Sequence, residues 1–299
     1  MTSGETRSTV GAARIARAVL TCAMVLLCAL TVSQTVSRTW KALFPPVAHH
    51  ARSGQSAQAA QAAPLINQAS ALTGDGPRQL PATLLPAGYR VGALVPLSSP
   101  TQHYCTASVI DSPHHDLLVT AAHCVHNGAG GGYIGGAGFS PGTSAGPGPA
   151  GLWKVRAAVV DPAWIASSDP SADFALVVLA PRQGRAIEEV VGGNPLTIGR
   201  TPASVGLLGF PADTATPHSC HGTALADRAQ HQYHVYCPGF SAGTSGSPWL
   251  AGPRALYGSG NVIGVIGGYQ RGGPSDDDSY SSPFDARIAA LYNRAVALG

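Results

Sequence analysis

Three serines fall within the stretch SAGTSGSPWL, residues 241–250, among small residues that let the backbone turn. A serine hydroxyl is a poor nucleophile at neutral pH and needs a base within hydrogen-bond reach. Histidine is the side chain whose ordinary pKa lies nearest that pH. A carboxylate must then hold the imidazole in one tautomer and stabilise the imidazolium as it forms. The chain offers such a set in the order His, Asp, Ser: His123 in TAAHC, Asp173 in DFALVVL and Ser245 in GTSGSP. Ser241 lies in Gly239-Phe240-Ser241-Ala242-Gly243, a literal G-x-S-x-G elbow. That elbow requires its acid and histidine later in the chain, and no histidine follows His234, so Ser241 is set aside. Asp169 in SSDPSAD competes for the role of the acid, but it precedes a proline in a turn-like run, which favours Asp173 at the start of a strand. Taken singly, a buried histidine, a strand-end aspartate and a glycine-rich turn are ordinary structural features. Their ordered conjunction points to nucleophilic catalysis.

The elements that must position these residues read as short strands. RVGALVPL, YCTASVI, DLLVTAA, LWKVRAAVV and FALVVLA supply the first half, and VGLLGF, YHVYC, PWL and NVIGVIGGY the second. Residues 128–151 are too rich in glycine for a regular element and read as a surface loop. Phe284, Ile288, Leu291, Tyr292 and Val296 recur at spacings of three and four, which predicts a C-terminal helix over residues 283–298. Evenly spaced strands closed by one terminal helix predict an all-β barrel architecture, not an alternating βαβ sheet.

With LVTAAHC, Cys105-Thr106-Ala107-Ser108, DFAL and GTSGSP on the page, the sequence resembles the chymotrypsin-like serine proteases, over roughly residues 88–295. Trp153 and DPAW at 161–164 resemble the bacterial secreted branch that includes the V8-like, glutamyl endopeptidase-like enzymes. The resemblance implies two packed six-stranded antiparallel β-barrels with a C-terminal α-helix, and a serine endopeptidase acting through a His123–Asp173–Ser245 triad. It implies an oxyanion hole from the N–H groups of Gly243 and Ser245, with Ser247 a small neighbour in the turn. It also pairs Cys105 with Cys124, and Cys220 with Cys237. By the same resemblance the pocket and substrate-pairing strand would include Gly239, Gly267, Gly268 and Tyr269. Asp278, with Asp276 and Asp277, is in the loop expected to close that pocket and could select a basic side chain.

The chain also departs from the family pattern. Thr244 stands where animal trypsins keep the acid that binds a newly released N-terminus, and Arg90-Val91-Gly92 only partly echoes the start of such a chain. Gly239 replaces the pocket acid of trypsin, and GVIGGY at 264–269 lacks the histidine of glutamyl endopeptidases. A barrel of this kind that has lost catalysis and serves as an extracellular binding module is the alternative.

Composition bounds the remaining expectations. The 299 residues carry 18 Lys and Arg against 15 Asp and Glu. Within the first 52 residues there are 6 basic and 1 acidic residues, a local charge of +5, which leaves 12 basic and 14 acidic elsewhere, a net of −2. A body this close to neutral argues against a nucleic-acid partner. Arg14 and Arg17 precede the apolar run AVLTCAMVLLCALTV, the pattern of an export signal over residues 1–37. At about 15 residues the run is short for a membrane span of roughly 20, so a membrane association is expected only if the leader is kept as an anchor. Residues 38–85 read as a flexible linker or propeptide, followed by an N-terminal barrel at 86–190 and a C-terminal barrel with its helix at 191–299.

Removal of Cys22 and Cys28 with the leader leaves four cysteines, with three possible connectivities, of which nearest-neighbour pairing closes one loop in each half. In an exported protein disulfides are expected. Cys220, His221, His231, His234 and Cys237 could form a zinc site, but their spacing is irregular. No metal or cofactor is expected, the partner is a protein or peptide substrate, and the protein is expected to be a secreted monomer.

Overall fold

The computed structural model describes residues 89–299 and the two-residue strand β1 (Arg78–Gln79). The expected export signal and most of the expected linker lie outside the described residues. β1 is an exception within that linker: it pairs antiparallel with a later strand, opposite Ser219 and His218. A strand of two residues leaves no periodicity for sequence patterning to detect.

Six strands of the first half close into an antiparallel barrel. They are β2 (Val91–Pro96), β3 (Cys105–Val109), β4 (Leu117–Thr120), β5 (Ala137–Pro141), β6 (Trp153–Val160) and β7 (Ala175–Leu179), in the spatial order β2-β3-β4-β7-β6-β5. β4 and β7 read as continuous apolar runs because both of their faces are covered. Leu118, Ala175, Val177 and Leu179 point into the barrel, where they join Leu94, Phe139 and Trp153. Their neighbours Leu117, Val119, Leu176 and Val178 point out onto the terminal helix and the second half. Period-two alternation thus serves two cores at once.

Helix α1 (Pro162–Ser167) is started by Asp161, whose Oδ1 accepts from Ala163 N at 2.8 Å, with Pro162 in its first turn. Trp164 of α1 is buried in the barrel core and its Nε1 donates to His126 O at 3.0 Å, which ties α1 to the segment after His123. Helix α2 (Ile187–Val191) leads to the second half.

That half comprises β8 (Ser204–Gly209), β9 (His218–Thr223), β10 (Leu225–Asp227), β11 (Gln232–Tyr236), β12 (Pro248–Ala251), β13 (Asn261–Val265) and β14 (Asp278–Ser281). They form a five-stranded sheet, β1-β9-β8-β12-β13, and a three-stranded sheet, β10-β11-β14. Of the two six-stranded barrels expected from the resemblance, the first is closed among the described residues, and the second half is built as these two sheets. At the seam between β13 and β14, Val265 N donates to the hydroxyl of Ser281 at 3.1 Å in place of a carbonyl. Backbone bonds from Gly267 N to Tyr280 O and from Tyr280 N to Gly272 O then bracket a 3-10 turn at Tyr269–Arg271, which interrupts the ladder. Across the other opening, the Cys220–Cys237 disulfide joins β9 to the residue after β11.

The expected C-terminal helix forms as α3 (Ala286–Val296), capped by Asp285, whose Oδ1 accepts from Arg287 N at 2.8 Å. Ile288, Leu291 and Ala295 pack against the outer face of the first barrel with Phe174 and Phe284. Burying a side chain such as Ile288 or Leu291 stabilises the fold by roughly 1.5–3 kcal/mol.

Leu118 is 0% exposed at the centre of the barrel. Leu118→Ala is expected to destabilise the protein by about 2–5 kcal/mol, read in urea as a lower midpoint with an unchanged slope. A loss below about 0.5 kcal/mol would contradict this account of the core.

Candidate active site

His123 sits in a single 3-10 turn, Ala122–Cys124, directly after β4. The turn is fastened behind the imidazole by the Cys105–Cys124 disulfide to β3. The two sulfurs and a ring nitrogen of His123 lie within 4.8 Å of one another, but the sulfurs are bonded together and act as a wall, not as thiolate ligands. Asp173 ends a second 3-10 turn, Pro170–Ala172, just before β7. Asp169 caps that turn, its Oδ1 accepting from Ser171 N at 2.9 Å, and so is occupied away from His123.

The Asp173 carboxylate is fully buried and accepts three hydrogen bonds. Oδ1 takes His123 N at 2.9 Å, while Oδ2 takes His123 Nδ1 at 2.8 Å and Gly268 N at 2.9 Å. An ionised carboxylate can only accept, so the proton resides on Nδ1 and the lone pair of a neutral imidazole on Nε2. The imidazole is 9% exposed, enough for one edge to meet a ligand.

The serine turn is held by its carbonyls. Ser241 O accepts from Thr244 N at 3.1 Å and Thr244 Oγ1 at 2.7 Å. Ala242 O accepts from Ala212 N at 2.7 Å, and Gly243 O from Thr106 Oγ1 at 3.0 Å. Thr244 O accepts from Ser247 N at 2.9 Å and Ser247 Oγ at 2.6 Å, and Ser245 O from Thr106 N at 2.8 Å. In a trans peptide the N–H points opposite to its carbonyl. Pinning Ala242 O and Thr244 O therefore aims the next N–H groups, those of Gly243 and Ser245, the other way. Neither amide donates to a protein acceptor among the described residues. Gly243 has φ +95° and Gly246 φ +82°, conformations open to glycine.

Among the described residues no hydrogen bond joins Ser245 Oγ to His123 Nε2. The backbone brings the two residues together: Thr106, one residue beyond the disulfide, holds Ser245 O, and Cys124 Sγ lies 3.7 Å from the same oxygen. Hydrogen bonds of this kind are often long in an uncomplexed site and tighten around substrate.

A cavity of about 240 Å³ opens beside Ser245, walled by Phe240, Ile266, Arg271, Gly273 and Asp276. Asp276, not Asp278, is the acid on its wall. Asp278 opens β14 on the same face as Tyr280, its Oδ1 meets His234 Nδ1 at 3.0 Å, and it does not line this cavity, whereas Asp276 of the same loop does. Gly239 O takes His218 Nδ1 at 3.0 Å, and the amides of Gly267, Gly268 and Tyr269 are spent on Tyr280 O, Asp173 and Gln232 Oε1. None of these four residues lines the cavity. A larger cavity of about 380 Å³, at the far end of the first barrel, is lined by His114, Asp116 and Arg156 and contains none of the His, Asp and Ser motifs. Burial raises the Asp116 carboxyl above the usual carboxylate range, against the pull of Arg156 at 3.6 Å.

Four of the five residues considered for zinc are otherwise engaged: Cys220 and Cys237 are disulfide-bonded, His221 meets Ser204 at 2.8 Å and His234 pairs with Asp278. Thr244 is 1% exposed, with its hydroxyl used inside the serine turn. Arg90-Val91-Gly92 runs into β2, where Val91 opposes Ser108. Sequence reading missed Thr106 and the hydroxyl of Ser247. Their contacts depend on a cross-lobe approach and on turn geometry, which residue spacing does not encode.

No protein-family model matches the chain, and a search of curated proteins finds no match. Among solved structures the chain is similar to the thermostable serine protease AL20 from an extremophilic microorganism. They share 25% identity, with 73% of this chain and 100% of that one covered, at a TM-score of 0.63. It is also similar to the protease Anisep from Arthrobacter nicotinovorans, with 24% identity, 71% and 97% coverage and a TM-score of 0.62. A Glu endopeptidase follows at 18% identity, 75% and 98% coverage and a TM-score of 0.56. The structural neighbours are chymotrypsin-like serine proteases, and the described residues have their fold.

Gly246 approaches the first barrel so closely that an added Cβ would collide with Thr120 Oγ1 and the Thr106 carbonyl. Gly246→Ala is therefore expected to push the serine turn away from His123 and to destabilise the protein by about 1–3 kcal/mol. Thermal unfolding checks this, and an unchanged midpoint would contradict the close approach.

Proposed function

We propose that the protein is an exported serine endopeptidase of the bacterial chymotrypsin-like kind, with Ser245 as nucleophile, His123 as general base and acid, and Asp173 as the group that orients His123. The observation that carries this reading is the serine turn. Its carbonyls are tied back while, among the described residues, the Gly243 and Ser245 amides are left without protein acceptors, beside an imidazole whose Nδ1 is fixed by a buried carboxylate.

Chemistry follows from that arrangement. Ser245 Oγ attacks the peptide carbonyl as its proton passes to His123 Nε2. The carbonyl oxygen becomes negative in the tetrahedral intermediate and meets the amides of Gly243 and Ser245. His123 returns the proton to the leaving nitrogen as the C–N bond breaks, leaving an acyl-enzyme. Water then repeats the sequence and releases Ser245. Asp173 stays ionised throughout and stabilises the imidazolium. The cavity at Phe240, Ile266, Arg271 and Asp276 receives the side chain preceding the scissile bond. Two disulfides and the basic, then apolar, leader support export.

Ser245→Ala and Asp173→Asn should each lower kcat/KM for peptide cleavage by about 10⁴-fold or more, with folding intact by circular dichroism. Equal cleavage by wild type and Ser245→Ala would overturn the nucleophile assignment.

A further inference from the structure

Thr106 stands out as a fully buried residue on β3 whose two side-chain hydrogen bonds both leave its own lobe. Its Oγ1 donates its single proton to Gly243 O at 3.0 Å and accepts from Phe210 N at 3.1 Å. Its backbone N donates to Ser245 O at 2.8 Å, and its backbone O is held from behind by Thr120 Oγ1 at 2.7 Å. The residue is 0% exposed. A buried hydroxyl is costly unless bonded, and here both of its bonds go to the segments that carry the serine turn.

We infer that Thr106 is the positioning residue of the oxyanion-binding turn; this rests on the reading of Ser245 as nucleophile. The peptide plane between Gly243 and Thr244 links the two amides that would meet the oxyanion. Glycine at φ +95° has no side chain to resist rotation of that plane, and Thr106 Oγ1 is the one donor to its carbonyl among the described residues. The preceding plane is held by Ala212 N, which belongs to the strand exit at Phe210–Ala212. That exit is itself clamped by Thr106 Oγ1 on Phe210 N and by His103 Nε2 on Phe210 O at 2.7 Å, the ring nitrogen donating because a carbonyl can only accept. One hydroxyl therefore steadies the Gly243 amide along two routes, directly and through Phe210. Thr106 touches no reacting atom in this scheme; it acts through Gly243.

The test compares full-length wild type, Thr106→Val, Thr106→Ser and Ser245→Ala on one cleavable peptide. Valine keeps the shape and removes the hydroxyl, whereas serine restores it. Thr106→Val should lower kcat about ten- to hundred-fold with KM within about twofold, less than the loss of a whole oxyanion donor, and Thr106→Ser should recover most of it. A peptide boronic acid, whose tetrahedral adduct places an oxygen at the two amides, should bind Thr106→Val more weakly by a similar factor. A cleaved product peptide should bind both proteins alike. A purely structural role would not separate those two ligands.

If Thr106→Val fails to fold, Thr106→Ala, which leaves room for water at the carbonyl, carries the same comparison with kcat again the parameter that falls. Serine-dependent cleavage that survives loss of the hydroxyl, or a change confined to KM, overturns the Thr106 inference alone. Absence of any difference between wild type and Ser245→Ala overturns the nucleophile assignment and this inference together.

Discussion

The buried Asp173 carboxylate is the interaction on which the rest of the site depends. Moving such a charge out of water costs several kcal/mol unless it is fully hydrogen-bonded. Here the compensation comes from both sides of the molecule: His123 supplies a backbone and a ring N–H from the first barrel, and Gly268 a backbone N–H from the second half. Satisfying that charge therefore brings the exit of β4, the entry of β7 and the exit of β13 to one point. The disulfide behind His123 and Trp164 bonded to His126 O fix the remaining freedom of the histidine turn. Imidazole orientation is in this sense a by-product of meeting the hydrogen-bonding demand of one carboxylate.

The serine turn follows a complementary logic. Its carbonyls, from Ser241 to Ser245, are all occupied by protein donors, and those donors come from its own turn, from the Phe210–Ala212 exit and from Thr106. Such a run stores no charge but fixes direction, because each pinned carbonyl aims the neighbouring N–H away from it. The seam between β13 and β14 fits that use. Where β13 would continue its ladder with β14, the chain instead turns at Tyr269–Arg271, and the amides of Gly268 and Tyr269 are diverted to Asp173 and Gln232. Regular sheet pairing gives way where side chains and the cavity claim the backbone.

Much of this was legible in the residues. His123, Asp173 and Ser245 stand out by type and order, and the apolar runs of β4 and β7 and the three-and-four spacing of α3 declare their elements. Asp169 could be demoted from its proline neighbour, and it is found capping a turn. Other features are not local in sequence. Barrel closure depends on register between distant strands, so the strand runs of the second half could be read without revealing that Val265 N bonds to Ser281 Oγ at the seam of β13 and β14. Asp276 precedes β14 and Asp278 opens it, so which carboxylate meets His234 and which the cavity depends on where the strand begins, a boundary that three consecutive aspartates do not mark. Thr106 and Ser247 are ordinary hydroxyls in the sequence, and their partners become visible only when the lobes meet.

Covalent mapping tests the central claim most directly. The full chain is incubated with a fluorophosphonate, which phosphonylates an activated serine hydroxyl with loss of fluoride, and the adduct is located by peptide mass spectrometry. The account predicts one adduct, on Ser245, with Ser241 and Ser247 unmodified and labelling lost when His123 is replaced by alanine. An adduct on another serine, or labelling of Ser245 that is indifferent to His123, would contradict it.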